Sequence, residues 1–131
     1  MTATPPHPMH QDCQKVSQIL ARIGEKWSML VVMLLRDGPR RFNDIKRNTT
    51  GISQQMLTRT LRGLERDGMV TRTIFPTSPP QVEYSLTPLG RSMSEPVLAF
   101  GEWVRTHLAE FDAARRGFDE RDGKAGRLAG L

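Results

Sequence analysis

The stretch ISQQMLTRTLRGLERDGMV, residues 52–70, decides the fold. Ser53 suits an N-cap, because its hydroxyl can accept one of the orphan backbone N–H groups of a first helical turn. Leu57, Leu61 and Leu64 recur at steps of four and three, the spacing of one buried helix stripe. Gly68 then closes the helix as a left-handed C-terminal residue. At about 100° per residue, Gln55, Arg59, Arg62 and Arg66 fall opposite the leucines, with Thr58 at the edge. Arginine can read guanine bidentately and glutamine can read adenine, and a helix fits the major groove. A cationic face opposite leucines is, taken alone, most often simply solvated. Its surroundings decide between the two readings.

Toward the N-terminus, Thr49-Thr50-Gly51 reads as a turn and FNDIKRN (42–48) as a short helix with Phe42 and Ile45 inward. Asp37-Gly38-Pro39 is a stop signal. EKWSMLVVMLLRDG (25–38) is apolar on nearly all sides, so a central helix is expected. VSQILARIG (16–24) is a first helix carrying Val16, Ile19, Leu20 and Ile23, ended by Gly24. Toward the C-terminus, MVTRTIF and QVEYSLT are strand-like runs separated by PTSPP. A long helix starts after Thr87, with Pro88 at its first position, where no N–H is needed. The fold class is mainly α with a small β-hairpin (α+β). Two short helices joined by a tight turn, the second one basic, followed by a hairpin, are a winged helix-turn-helix.

Charge points to the same part of the chain. The 131 residues carry 19 Lys and Arg against 14 Asp and Glu, a net of +5. Nine Lys or Arg and four acids lie between Arg36 and Phe75, so the whole excess sits on the expected reading head. Arg40, Arg41, Lys46 and Arg47 are placed for phosphate contacts, which give salt-sensitive affinity without sequence information. Ser53, Gln54, Gln55, Thr58, Arg59 and Arg62 form the candidate recognition set. Arg72, Thr77, Ser78 and Gln81 on the wing are placed for the backbone or minor groove. The expected partner is double-stranded DNA.

Other classes drop out. The apolar run Trp27–Leu35 is about half a bilayer span, so no membrane partner is expected. The N-terminus has no basic start and no apolar core, so it does not read as a secretory signal, and one cysteine forms no internal disulfide; a cytoplasmic location fits. There is no Gly-rich phosphate loop, HExxH, CxxC or catalytic triad, so neither an enzyme nor a cofactor is expected. His7, His10 and Cys13 repeat every three residues, but in a proline-rich setting without a clear fourth ligand; no metal site is expected. A protein-interaction module and a nonspecific DNA binder stay open as alternatives. The Gln55, Arg59 and Arg62 face argues against the first of these.

LARIGEKWSMLVVMLLRDGPRRFNDIKR, GISQQMLTRTLRGLERDGMVTRTIFPTSPPQVEYSLTPLGRSM and the later WVRTHL resemble, in this order, the HxlR family of bacterial transcription regulators, within the MarR-like winged-helix group. The resemblance spans about residues 13–110. It implies a homodimer, a major-groove recognition helix starting near Ser53 and a wing around Thr77–Gln81. Some members of that family use a cysteine at the position of Cys13 as a thiol switch toward oxidants, quinones or other electrophiles. A helix N-terminus favours the thiolate there, while Asp12 opposes it. CQKV stands where the family often has CPV, which removes a proline near the first helix.

Leu89, Met93, Val97, Phe100, Val104, Leu108 and Phe111 form a seam of heptad-like spacing, widened by Trp103 and expected to bend at Pro96. One small domain cannot cover this stripe and that of the first helix together. Pairing with a second copy hides both. Val16, Ile19, Leu20, Val97, Phe100, Trp103, Val104 and Leu108 are therefore the expected dimer interface. The expected layout is a flexible tail over 1–11, the winged domain with its dimerisation helices over 12–111, and a flexible tail over 112–131.

Overall fold

Residues 12–129 are described in the computed structural model, without the side chains at 125 and 127–129. Helices α1 (Cys13–Gly24) and α2 (Lys26–Leu35) are followed by the two-residue strand β1 (Arg40–Arg41), helix α3 (Phe42–Arg47) and helix α4 (Gln54–Arg66). Strands β2 (Val70–Phe75) and β3 (Gln81–Leu86) make a hairpin, and helices α5 (Pro88–Thr106) and α6 (Leu108–Ala129) complete the described chain. The sheet is antiparallel with order β1-β3-β2. Tyr84 is its pivot, paired with Arg40 on one side and Arg72 on the other.

The chain divides into two compact units after Glu95, one residue before Pro96. The first holds the winged domain. Its core is Val31, Val32 and Leu35 of α2, Ile45, Ile52, the stripe Leu57, Leu61 and Leu64, then Met69, Val70 and Tyr84. The apolar α2 is thus central on one side, although Leu30 on its other side is 47% exposed. Arg22 of α1 reaches Asp67 at the end of α4 (2.8 Å), its guanidinium lying over Gly63 where a side chain would collide.

Local capping sets the ends of α4. Ser53 Oγ accepts the Met56 N–H at 3.1 Å. At the other end Gly68 has φ +77°; its N–H bonds Glu65 O while the Met69 N–H bonds Leu64 O. This paired closure, with Leu64 and Met69 both buried, is a Schellman turn. Thr87 then ties the start of α5 to that turn. Its hydroxyl donates to Gly68 O (2.6 Å) and accepts the Gly90 N–H (3.0 Å). Gly90 itself packs so closely on the Met69 carbonyl that no Cβ fits.

The second unit is the remainder of α5 together with α6. The expected continuous seam is interrupted at His107, whose N–H is shared between Trp103 O and Val104 O (3.2 and 3.1 Å). Trp103 stacks on His107 (4.5 Å between ring centres) and meets Phe111 edge-on. The stretch expected as a tail over 112–131 is helical as far as Ala129. Its Ala, Arg, Glu and Leu residues favour helix strongly enough to carry Gly117, Gly123 and Gly126. The other expected tail, 1–11, lies outside the described residues, as do His7 and His10.

Candidate nucleic-acid interface

The turn between α3 and α4 fixes the angle at which α4 leaves the domain. Thr49, itself buried, donates its hydroxyl to Ile45 O (2.8 Å), and its carbonyl accepts the Ile52 N–H (3.2 Å). Gly51 supplies the positive φ (+89°) that the turn needs. Ile52 then plugs into the core and α4 starts at once.

Burying Leu57, Leu61 and Leu64 forces the opposite face outward. Gln54, Gln55, Thr58, Arg59, Arg62 and Arg66 are exposed. Ser53, Gln55, Met56, Thr58, Arg59 and Arg62 line one open hollow on that face. Neither Arg59 nor Arg62 forms an ion pair or hydrogen bond among the described residues, so both guanidinium groups are available. Thr58 returns its hydroxyl to Gln54 O (2.9 Å), and Ser53 is engaged as the cap.

The four basic residues assigned to phosphates separate into kinds. Arg41, Lys46 and Arg47 are exposed. Arg40 is half-buried and tied down: it donates to Asp44 (2.9 Å) and to Leu34 O (3.3 Å), and lies 3.9 Å from Asp37. Its guanidinium is thus braced within the chain, in contrast to that of the exposed Arg41. Asp44 also accepts from Arg47 (3.4 Å) and Asn48 (3.1 Å). The Arg40 hydrogen bond, assisted by Arg47, outweighs partial desolvation and holds the Asp44 carboxyl below the usual aspartate range. The sequence reading missed Asp44, although its three- and four-residue spacing to Arg47 and Arg40 marks such a brace.

On the wing, Arg72, Thr77 and Ser78 are exposed and Gln81 is half-buried. Thr77 donates its hydroxyl to Pro79 O (2.8 Å), rigidifying the tip. Arg72 joins Thr58, Arg62, Glu65 and Tyr84 around the hollow between wing and α4. Ile74 and Phe75 are also exposed on β2, at 56% and 39%. Nothing in the alternation of MVTRTIF separates them from core residues.

Cys13 is the first residue of α1 and is exposed; Asp12 makes no side-chain cap there. No residue of α1 is buried, and Ile19 (44%) and Leu20 (55%) face out. Phe100, Trp103 and Leu108 are at least half exposed, and Val16 and Val104 partly so. Val97 differs. At 7% exposure it shows the least surface of the residues expected at the interface. Among the described residues no helix is long and apolar enough to cross a membrane.

Core, turn, outward basic helix and hairpin together define a winged helix-turn-helix protein of the DNA-binding class. The pattern of the HxlR-like helix-turn-helix family matches residues 22–112, and the chain belongs to that family of transcriptional regulators. It is 42% identical over 104 residues to the uncharacterized HTH-type transcriptional regulator YtfH of Escherichia coli (strain K12), covering 79% of this chain and 80% of that one. The structure of the putative transcriptional regulator ytfH from Salmonella typhimurium superposes with a TM-score of 0.72 at 40% identity, over 77% of this chain and 90% of that one. The redox regulator HypR in its reduced form gives a TM-score of 0.71 at 39% identity, over 76% and 98% of the two chains.

Proposed function

We propose that this chain is a sequence-specific regulator that binds an inverted-repeat operator as a homodimer, with α4 in the major groove and the wing beside it. One observation carries the reading. The buried leucine stripe turns Gln55, Arg59 and Arg62 outward, and neither arginine has a partner among the described residues. Side chains of this chemistry on one exposed helix face match the donor and acceptor patterns of base edges. The apolar residues left uncovered on α1, α5 and α6 support pairing with a second copy. A two-fold axis sets two reading heads on one duplex face. Arg59→Ala and Arg62→Ala each weaken specific binding by about 1–3 kcal/mol, measured by fluorescence anisotropy against an excess of unrelated duplex. Wild-type affinity in both variants would remove α4 from the reading role, and equal affinity for all duplexes would leave a nonspecific binder.

Control by the thiol of Cys13 is the regulatory half of the proposal. Its support is the exposure of Cys13 on a helix start and the likeness to HypR, a redox regulator whose structure exists in reduced and oxidised forms. The only cysteine of the chain is limited to an intersubunit disulfide or an adduct with a small electrophile or oxidant. Treatment with diamide or a quinone changes operator affinity, and Cys13→Ser abolishes the change. An undiminished response in the serine variant removes the sensor.

A further inference from the structure

Two positions of α4 break the rules of a stable helix. Gly63 lies in its interior, where glycine is among the least favourable residues. Asp67 stands at its C-cap, where the negative end of the helix dipole disfavours a carboxylate. Local departures of this kind mark a place where the helix accommodates something outside itself. Here it accommodates Arg22 of α1. A Cβ at position 63 would collide with the guanidinium, so the glycine opens the hollow in which Arg22 lies. Arg22 Nε then donates to Asp67 Oδ2 at 2.8 Å, and the cation offsets the misplaced carboxylate. The pair is shielded from solvent, the Asp67 side chain being 15% exposed and that of Arg22 28%.

Helix α1 is otherwise lightly held. None of its residues is buried. It joins α2 through one extended residue, Glu25, and the space beside Gly24 is open. Ile23 rests against the core, partly buried. Among the described residues, Arg22–Asp67 is the one side-chain hydrogen bond or ion pair between α1 and the rest of the chain. Helix α4, in contrast, is anchored by its leucines and at both ends. The bond to Asp67 therefore fixes α1 to a rigid reading head. In the proposed homodimer, α1 presents Ile19 and Leu20 to the second copy, so its angle to α4 decides how far apart the two reading helices stand.

We propose that Arg22 is a positioning residue for DNA spacing: seated over Gly63 and bonded to Asp67, it locks α1 to α4 and sets the half-site separation that the regulator accepts. This rests on the homodimer reading and adds to it the residue that fixes its geometry. The lock lies toward the C-terminal end of α4, past Gln55 and Arg59. Loosening it leaves the half-site sequence unchanged and widens the range of separations.

Selection of binding sites from a random duplex library, with the full chain and its variants, tests this. Wild type returns inverted half-sites at a single separation. Arg22→Ala and Gly63→Ala return the same half-site sequence at several separations, with discrimination against a lengthened spacer reduced at least about five-fold. Gly63→Ala keeps both charged residues and displaces only the far end of a flexible side chain, so the fold survives it. Urea unfolding gives a second readout. Gly63→Ala raises the midpoint more in an Arg22→Ala background than in wild type, because in wild type the gain in helix propensity is offset by the lost tie. A single unchanged separation in both variants, or equal midpoint shifts in both backgrounds, overturns the proposal and leaves α4 as the reader. A wild-type chain that selects half-sites singly overturns the homodimer reading along with it.

Discussion

Asp44 shows how one side chain prepares several others. It fastens Arg40 against the end of α2 and holds Arg47 beside it, so the start of the helix-turn-helix is braced before any DNA arrives. Its carboxyl titrates lower in the folded chain than in an unfolded one, chiefly through the Arg40 hydrogen bond. That difference stabilises the fold at pH values above the ordinary aspartate range and is lost as pH falls through the depressed folded value. Thermal melts between about pH 5 and pH 3 should therefore fall more steeply for wild type than for Asp44→Asn. Parallel curves would show that Asp44 carries no such linkage. Arg59 and Arg62 stand at the other extreme. They brace nothing among the described residues, so their replacement by alanine should cost DNA specificity and leave the melting temperature in place.

For the elements, α4 is the clearest case. A cap, a leucine stripe and a closing glycine are all written in ISQQMLTRTLRGLERDG, and the helix forms between them. Ser53→Ala should cost about 1 kcal/mol in urea unfolding and lower affinity for every duplex alike, because the first turn of α4 frays. An unchanged unfolding midpoint would mean that tertiary packing alone holds that turn. The hairpin and the start of α5 were equally legible, from β-branched runs and from Thr87-Pro88. Strand β1 was not. Two arginines have no strand pattern of their own, and only the register of Arg40 with Tyr84 makes them a strand. Helix α6 was obscured by its glycines, which signal a frayed tail in a short window although the surrounding residues favour helix. In the candidate site, the exposed face of α4 could be read from angular position alone. That Arg40 is tied down while Arg41 stays exposed could not, because it depends on which side chain Asp44 captures.

For the whole molecule, a positively charged head and uncovered apolar helix faces answer different needs. The charge draws the protein to any duplex and makes its affinity fall steeply with salt. In the proposed homodimer a second copy covers the apolar faces of α1, α5 and α6 and converts one reading helix into two with a fixed separation. Such spacing discriminates among sequences more strongly than a single helix can. Hydroxyl-radical footprinting of the wild-type protein on the DNA flanking its own gene tests this most directly. Two protected half-sites should appear on one face of the duplex, their centres about 34–36 Å apart or a multiple of that, and both should vanish with Arg59→Ala and Arg62→Ala combined. A single protected half-site, or uniform protection that survives the double substitution, would contradict it.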